Sequence, residues 1–119
     1  MIVAGIGYRS GTTPGDLRAA LALVDACPDA LASLDGKASG PLTTLATALN
    51  LPVIGLTEDQ IAGIPTRTKS PRIQARFATG SLAEACALVA AGPAARLTHP
   101  RVIGPCGRVT IAIAKGPTP

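Results

Sequence analysis

Residues 2–17, "IVAGIGYRSGTTPGDL", constrain the fold more than any other stretch. Ile2 to Tyr8 read as a short buried strand bounded by glycine. A helix start follows. Thr13 is placed to cap it, Pro14 suits its first position, and Asp16 stands where the acid of a capping box belongs. Leu17, Leu21 and Val24 then fall on one helical face, and Pro28 disfavours helical geometry at Cys27. A strand that enters a helix through so short a glycine-bearing turn is the opening unit of a layered α/β domain.

The same alternation continues. Residues 31–35 predict a second strand and 36–40 a loop. Pro41 opens a second helix whose apolar face is Leu42, Leu45, Ala46 and Leu49, ended by Asn50 and Pro52. Residues 52–56 are a third strand, and 57–63 a helical turn capped by Thr57. Residues 64–72 are polar, basic and broken by proline. They predict a mobile loop, a candidate lid if it extends to 76, with a short helix after Ser70. Ser81 and Glu84 have the spacing of a capping box, and Leu82, Ala85, Cys86 and Val89 share the face of the helix that follows, up to Gly92 and Pro93. Residues 94–98 are a fourth strand, 99–107 a loop, and 108–114 a fifth strand rich in β-branched residues. The expectation is one three-layer α/β domain over residues 1–115 with a flexible tail at 116–119. Its five-stranded sheet is mainly parallel, with helices on both faces. The last two strands have no helix between them, which permits antiparallel pairing there.

With one Tyr, one Phe and no Trp, the core must be built from Ala, Leu, Val and Ile. The 119 residues suffice for such a core. No uninterrupted apolar run reaches the roughly 18 residues of a membrane span, and the N-terminus lacks the pattern of a signal peptide. The expectation is a soluble cytoplasmic protein with no membrane partner. Cys27, Cys86 and Cys106 are scattered and His99 is the sole histidine, so no metal site and no cofactor are expected. Cys86 reads as a small core residue. Cys106 lies in a Gly/Pro loop, and as a catalytic thiol it would have only His99 for a base.

Charge divides the chain. Through residue 60 there are three basic and six acidic side chains; beyond it there are eight basic ones and a single acid, Glu84. A basic half suits an anionic partner. Nucleic acid is disfavoured, because aromatic residues for base stacking are nearly absent.

Loops that follow parallel strands gather at the carboxyl end of a sheet, where α/β proteins bind ligands. Gly7, Tyr8 and Arg9 sit in such a loop. Gly11, Thr12 and Thr13 place backbone N–H groups at a helix start. Arg9 offers a fork that matches carboxylate or phosphate, and Lys37 follows the second strand. The spacing Gly5, Gly7, Gly11 departs from the dinucleotide fingerprint, although Asp35 ends the second strand where a ribose-binding acid belongs. No Gly-Lys-Ser/Thr follows, so a P-loop is absent. A nucleotide loop, another anion site and a plain tight turn all remain open from these residues.

Four segments in order resemble the cobalamin-biosynthesis family of CobE and the C-terminal domain of CbiG. They are "GIGYRSGT", "ASLDGKASGPLTTLATALNLP", "GSLAEACAL" and "GRVTIAIAK", spanning nearly the whole chain. Gly5, Ile6, Gly7, Arg9, Gly11 and Thr12 match the family's opening. Ser33, Asp35 and Lys37 match its second segment, Ser81, Ala83, Glu84, Ala85, Ala87 and Leu88 its third, and Val109, Thr110, Ala112, Ile113 and Ala114 its last. The chain departs at Tyr8, where the family often has Cys, at Ala38-Ser39-Gly40, where an acid is common, and at Arg101, where Lys is usual. The resemblance implies a role in building the corrin ring. CbiG-type proteins open the lactone of a ring-contracted precorrin; a free-standing domain resembles CobE. The implied ligand is a precorrin or corrinoid fringed with carboxylates, held by Arg9, Lys37, Arg101, Arg108 and the amides near Gly11–Thr13, with other pathway enzymes as partners. If the domain is catalytic, Asp35 is the candidate general base, ahead of Glu84 and His99. A nucleotide- or anion-binding regulator is the remaining alternative.

Overall fold

The computed structural model describes residues 1–37 and 40–117. Ala38 and Ser39 of the expected second loop, and Thr118 and Pro119 of the expected tail, lie outside the described residues. The element order is β1 (Ile2–Tyr8), α1 (Pro14–Leu21), β2 (Ala30–Leu34), a 3-10 turn (Asp35–Lys37), α2 (Pro41–Leu49), β3 (Val53–Leu56), α3 (Glu58–Ile61), α4 (Pro71–Phe77), α5 (Leu82–Ala91), β4 (Arg96–Ile103) and β5 (Val109–Lys115). The local signals behave as their chemistry requires. Thr13 caps α1 in a full capping box with Asp16, and Pro14 occupies the first turn. Thr57 caps α3 in the same way with Gln60. Asn50 ends α2 in the left-handed conformation.

The strand order is β3-β2-β1-β5-β4. β1 pairs parallel with β2, and β2 with β3; β1–β5 and β5–β4 are antiparallel. The sheet is therefore mixed, which corrects the mainly parallel sheet expected from the alternation. The cause is the place of β5, which lies between β1 and β4 and runs antiparallel to both. The first part of the loop expected at 99–107 is strand: β4 runs on to Ile103 and returns through a hairpin straight into β5. Pro100 is accommodated because β4 is an edge strand whose ladder shifts register between His99 and Val102.

Helices cover both faces. Ala4 and Ile6 of β1 and Val109, Ile111 and Ile113 of β5 pack with Leu17 and Ala20 of α1 and Leu42, Leu45 and Ala46 of α2. On the opposite face Val3, Ala32 and Leu56 pack with Ile61 of α3 and Ala85 and Cys86 of α5. The strands sort residues by size with the period of two that the pleat imposes. Bulky side chains face α1 and α2, whereas β1 presents Gly5 and Gly7 to the α5 side. A Cβ at Gly5 would stand 2.6 Å from the Ala87 nitrogen and 2.9 Å from its Cβ, and closer still to the Ala83 carbonyl oxygen. Gly5 thus sets how near α5 lies to the sheet.

Gly5→Ala forces backbone to move and is expected to destabilise the fold by about 3 kcal/mol in urea unfolding. Gly36→Ala, whose new Cβ meets nothing within 4 Å, is expected to stay within about 0.5 kcal/mol of the parent.

Candidate functional site

A cleft of about 630 Å³ opens at the carboxyl ends of β1, β2 and β4, beside the start of β5. Its floor is apolar, with Ile6, Leu34 and Leu82 from the sheet and α5, and Ile73 and Phe77 from α4. Five cationic side chains stand around it: Arg9, Lys37, Arg72, Arg101 and Arg108. Its described lining holds no carboxylate and no imidazole. An apolar floor with a few convergent polar groups is the general form of a small-molecule site.

Each cation comes from a different stretch of the chain. Arg9 leaves β1, and its N–H donates to the Arg108 carbonyl at 3.0 Å, which sets the two arginines side by side across the β1–β5 ladder. Arg108 also approaches the Asp16 carboxylate at 3.6 Å. Asp16 is held below its ordinary pKa chiefly by the Thr13 N–H, which outweighs the opposing effect of burial, with lesser help from the Thr13 hydroxyl and Arg108. Lys37 ends the 3-10 turn. Its carbonyl accepts from the Tyr8 hydroxyl at 2.6 Å, and its ammonium lies 5.2 Å from the Tyr8 ring centre. Burial pushes the Tyr8 phenol above its ordinary pKa. Arg72 comes from α4 and Arg101 from β4.

Of the residues singled out in the sequence, Gly7, Tyr8, Arg9, Lys37, Arg101 and Arg108 line the cleft. Gly11, Thr12 and Thr13 do not. The positive φ of Gly11 (+86°) lets the chain turn, and the Arg9 carbonyl then accepts from both the N–H and the hydroxyl of Thr12. The Thr13 N–H donates to Asp16 at 3.0 Å. The Thr12 and Thr13 amides are thus taken up by the chain's own oxygens. Asp35 is exposed at the head of the 3-10 turn and is not part of the lining. His99 lies on β4, its Nδ1 3.1 Å from the Thr98 hydroxyl. Cys106 is half-buried, with its sulfur accepting from the Arg108 N–H.

The short helix expected after Ser70 is α4, but the sequence did not place it as a wall of the cleft. Residues 64–72, read as a mobile loop, form a strap tied down along its length. The Thr79 hydroxyl donates to the Ile64 carbonyl, the Ser70 N–H to the Gly80 carbonyl, and the N–H groups of Arg67 and Thr68 to Glu84. Ser70 caps α4, Pro71 opens it, and Ile73 and Phe77 repeat at helical spacing.

Glu84 differs from its expected part. Its backbone N–H donates to the Ser81 hydroxyl, as in half of a capping box, but its carboxylate turns away from the cap. Fully buried, that carboxylate accepts from the N–H groups of Arg67 (2.7 Å), Thr68 (3.0 Å) and Arg101 (2.8 Å), and from the Thr68 hydroxyl (2.6 Å). Burial alone would raise its pKa; the hydrogen bonds outweigh burial and lower it. Cys86, at the cleft floor, has no such donors, and burial pushes its thiol up to about 12.

Comparison with known proteins follows the same lines. The family described as "Cobalamin synthesis G C-terminus" matches residues 2–114. Among solved structures, CobE, described as a protein from the cobalamin (vitamin B12) biosynthetic pathway, is 31% identical. The match covers 100% of this chain and 92% of that one, with a TM-score of 0.82. The cobalamin biosynthesis protein chiG from Agrobacterium tumefaciens is 29% identical over 99% of this chain and 100% of that one (TM-score 0.75). A putative cobalamin biosynthesis protein G homolog from Sulfolobus solfataricus shares the fold (TM-score 0.72, 21% identity), with 95% of this chain on 36% of that one. No curated protein matches the sequence significantly.

Two outcomes are expected of these side chains. Because folding lowers the Glu84 pKa, its stabilisation is complete above the unfolded carboxyl value, near 4.3. It is lost as pH falls through the lower native value. Urea unfolding of Glu84→Gln should therefore show a shallower loss of stability below about pH 4 than the parent shows. In iodoacetamide labelling at pH 8, exposed Cys27 should react readily and Cys86 far more slowly, because burial both shields its thiol and keeps it protonated.

Proposed function

The chain belongs to the Cobalamin synthesis G C-terminus family, a family of cobalamin biosynthesis, and we propose that its cleft binds a polycarboxylate corrinoid or precorrin intermediate of that route. The observation that carries the reading is the lining itself, in which five cations from five separate stretches of the chain surround an apolar floor with no carboxylate among them. A corrin precursor has the complementary form: a broad apolar macrocycle fringed with acetate and propionate groups. Charge-assisted bonds to carboxylates are the strong kind, above all from an arginine fork. Among the described residues Arg9, Arg72 and Arg101 make no ion pair with the chain's own acids, so their charge is available to a ligand.

Binding without chemistry is the better-supported form of this proposal. Lactone opening of the CbiG kind needs a general base within reach of water or the carbonyl. Asp35 stands outside the lining, Glu84 is buried and committed to four donors, and the Cys86 thiol stays protonated at neutral pH. A domain of this kind would hold a labile intermediate and pass it to the next enzyme.

Titration of the protein with uroporphyrin and with cobyrinic acid, followed by visible absorption, tests the reading. Tyr8 is the only tyrosine and the chain has no tryptophan, so quenching of tyrosine emission reports the cleft directly. A one-to-one complex with unchanged ligand mass is expected. Arg9→Ala should weaken it about tenfold or more, and Asp35→Asn should leave it unchanged. No complex with either tetrapyrrole would sink the binding role. A change of ligand mass beyond one equivalent would replace it with catalysis.

A further inference from the structure

We propose that Glu84 is the positioning residue of the cleft: one buried carboxylate ties two of its walls to the helix that floors it. The proposal deepens the ligand reading above and rests on it. Glu84 lies in the first turn of α5, between Leu82 and Cys86, both of which line the cleft. Its Oε1 accepts from Arg67 and Thr68, on the strap that leads into α4 and so to Arg72, Ile73 and Phe77. Its Oε2 accepts from the Thr68 hydroxyl and from the Arg101 N–H on edge strand β4. The strap belongs to no strand, and Arg101 lies where the β4 ladder to β5 shifts register. Arg72 stands on one wall and Arg101 on the other, so a single side chain links the segments that carry these two cations.

The chemistry of the joint explains why an acid is needed there. Four donors converge on one group, and only an ionised carboxylate accepts from all of them. An amide brings two N–H donors of its own against donors already present, and a buried donor without an acceptor is costly. The rest of the core does not pass through this joint. The cluster of β1, β5, α1 and α2 lies on the opposite face of the sheet.

The test compares the parent with Glu84→Gln and Thr68→Val, using uroporphyrin as the probe and hydrogen exchange as the second readout. Glu84→Gln is expected to bind about tenfold more weakly. Its amides at Arg67, Thr68 and Arg101 should lose protection while those of Ile111 and Ile113 keep theirs. Thr68→Val removes one donor of four and should weaken binding about threefold. Glu84→Gln that folds and binds as tightly as the parent overturns the proposal. So does a loss of protection spread evenly through β1 and β5, which is what a merely structural role would produce. If Glu84→Gln does not fold, Thr68→Val decides, and parental affinity in it overturns the proposal. If the parent itself binds no uroporphyrin, the ligand reading fails separately. The exchange pattern then decides the positioning role by itself: selective loss at the three amides supports it, and even loss overturns it.

Discussion

The approach of α5 to the sheet is the contact on which the rest of the structure depends. Gly5 has no side chain, and Ala83 and Ala87 have almost none, so helix and strand meet backbone to backbone. The consequence reaches past packing. At its first turn α5 is covered on every side, with Ala83, Glu84, Ala85, Cys86 and Ala87 all buried in succession. A helix so enclosed has no solvent face for an acid. The one acid it carries must find its donors inside the protein. The strap at Arg67 and Thr68 and the edge strand at Arg101 supply them. Close packing at Gly5 and the cleft walls at Glu84 are two ends of one constraint.

The cleft concentrates positive charge because its walls come from many stretches of the chain, each adding one cation. Three of these cations, Arg72, Arg101 and Arg108, come from the basic second half of the chain, and two, Arg9 and Lys37, from the acidic first half. Net charge by halves is therefore a coarse guide to the site. The acids of the first half are kept away from it or occupied. Asp35 is exposed outside the lining, and Asp16 is taken up by the start of α1 and by Arg108. The glycine loop that first drew attention serves the site mainly by placing Arg9 beside Arg108. Its Thr12 and Thr13 amides close on the chain's own Arg9 carbonyl and Asp16 carboxylate.

Two stretches expected as loops, 64–72 and 99–107, are ordered by partners that are not their sequence neighbours. In the first the Gly80 carbonyl and the Glu84 carboxylate hold the strap, and Pro71 opens the helix expected after Ser70, where its missing N–H costs nothing. In the second Pro100 sits on an edge strand at a break in the ladder, where no neighbour requires its N–H. Both outcomes depend on what lies beside the residue, and the first carries Arg72, Ile73 and Phe77 into the cleft. Glu84 was misread for a related reason: its distance from Ser81 fits a capping box, but stronger donors reach its carboxylate from elsewhere.

The sequence by itself determined the features whose partners lie within a turn or a pleat. The cap of Thr13 with Asp16, the cap of Thr57, the left-handed Asn50, and the bulky-and-small alternation of β5 are short-range effects, and the residues that make them are neighbours. Family membership was legible for the same reason, since it rests on four local segments. Only the tertiary structure decided which strands are neighbours, which way β5 runs, and which cations converge. Glu84 shows why most clearly: the Arg67 and Arg101 amides that hold it lie 17 positions away on either side. No local pattern records that meeting, because packing against Gly5 brings it about.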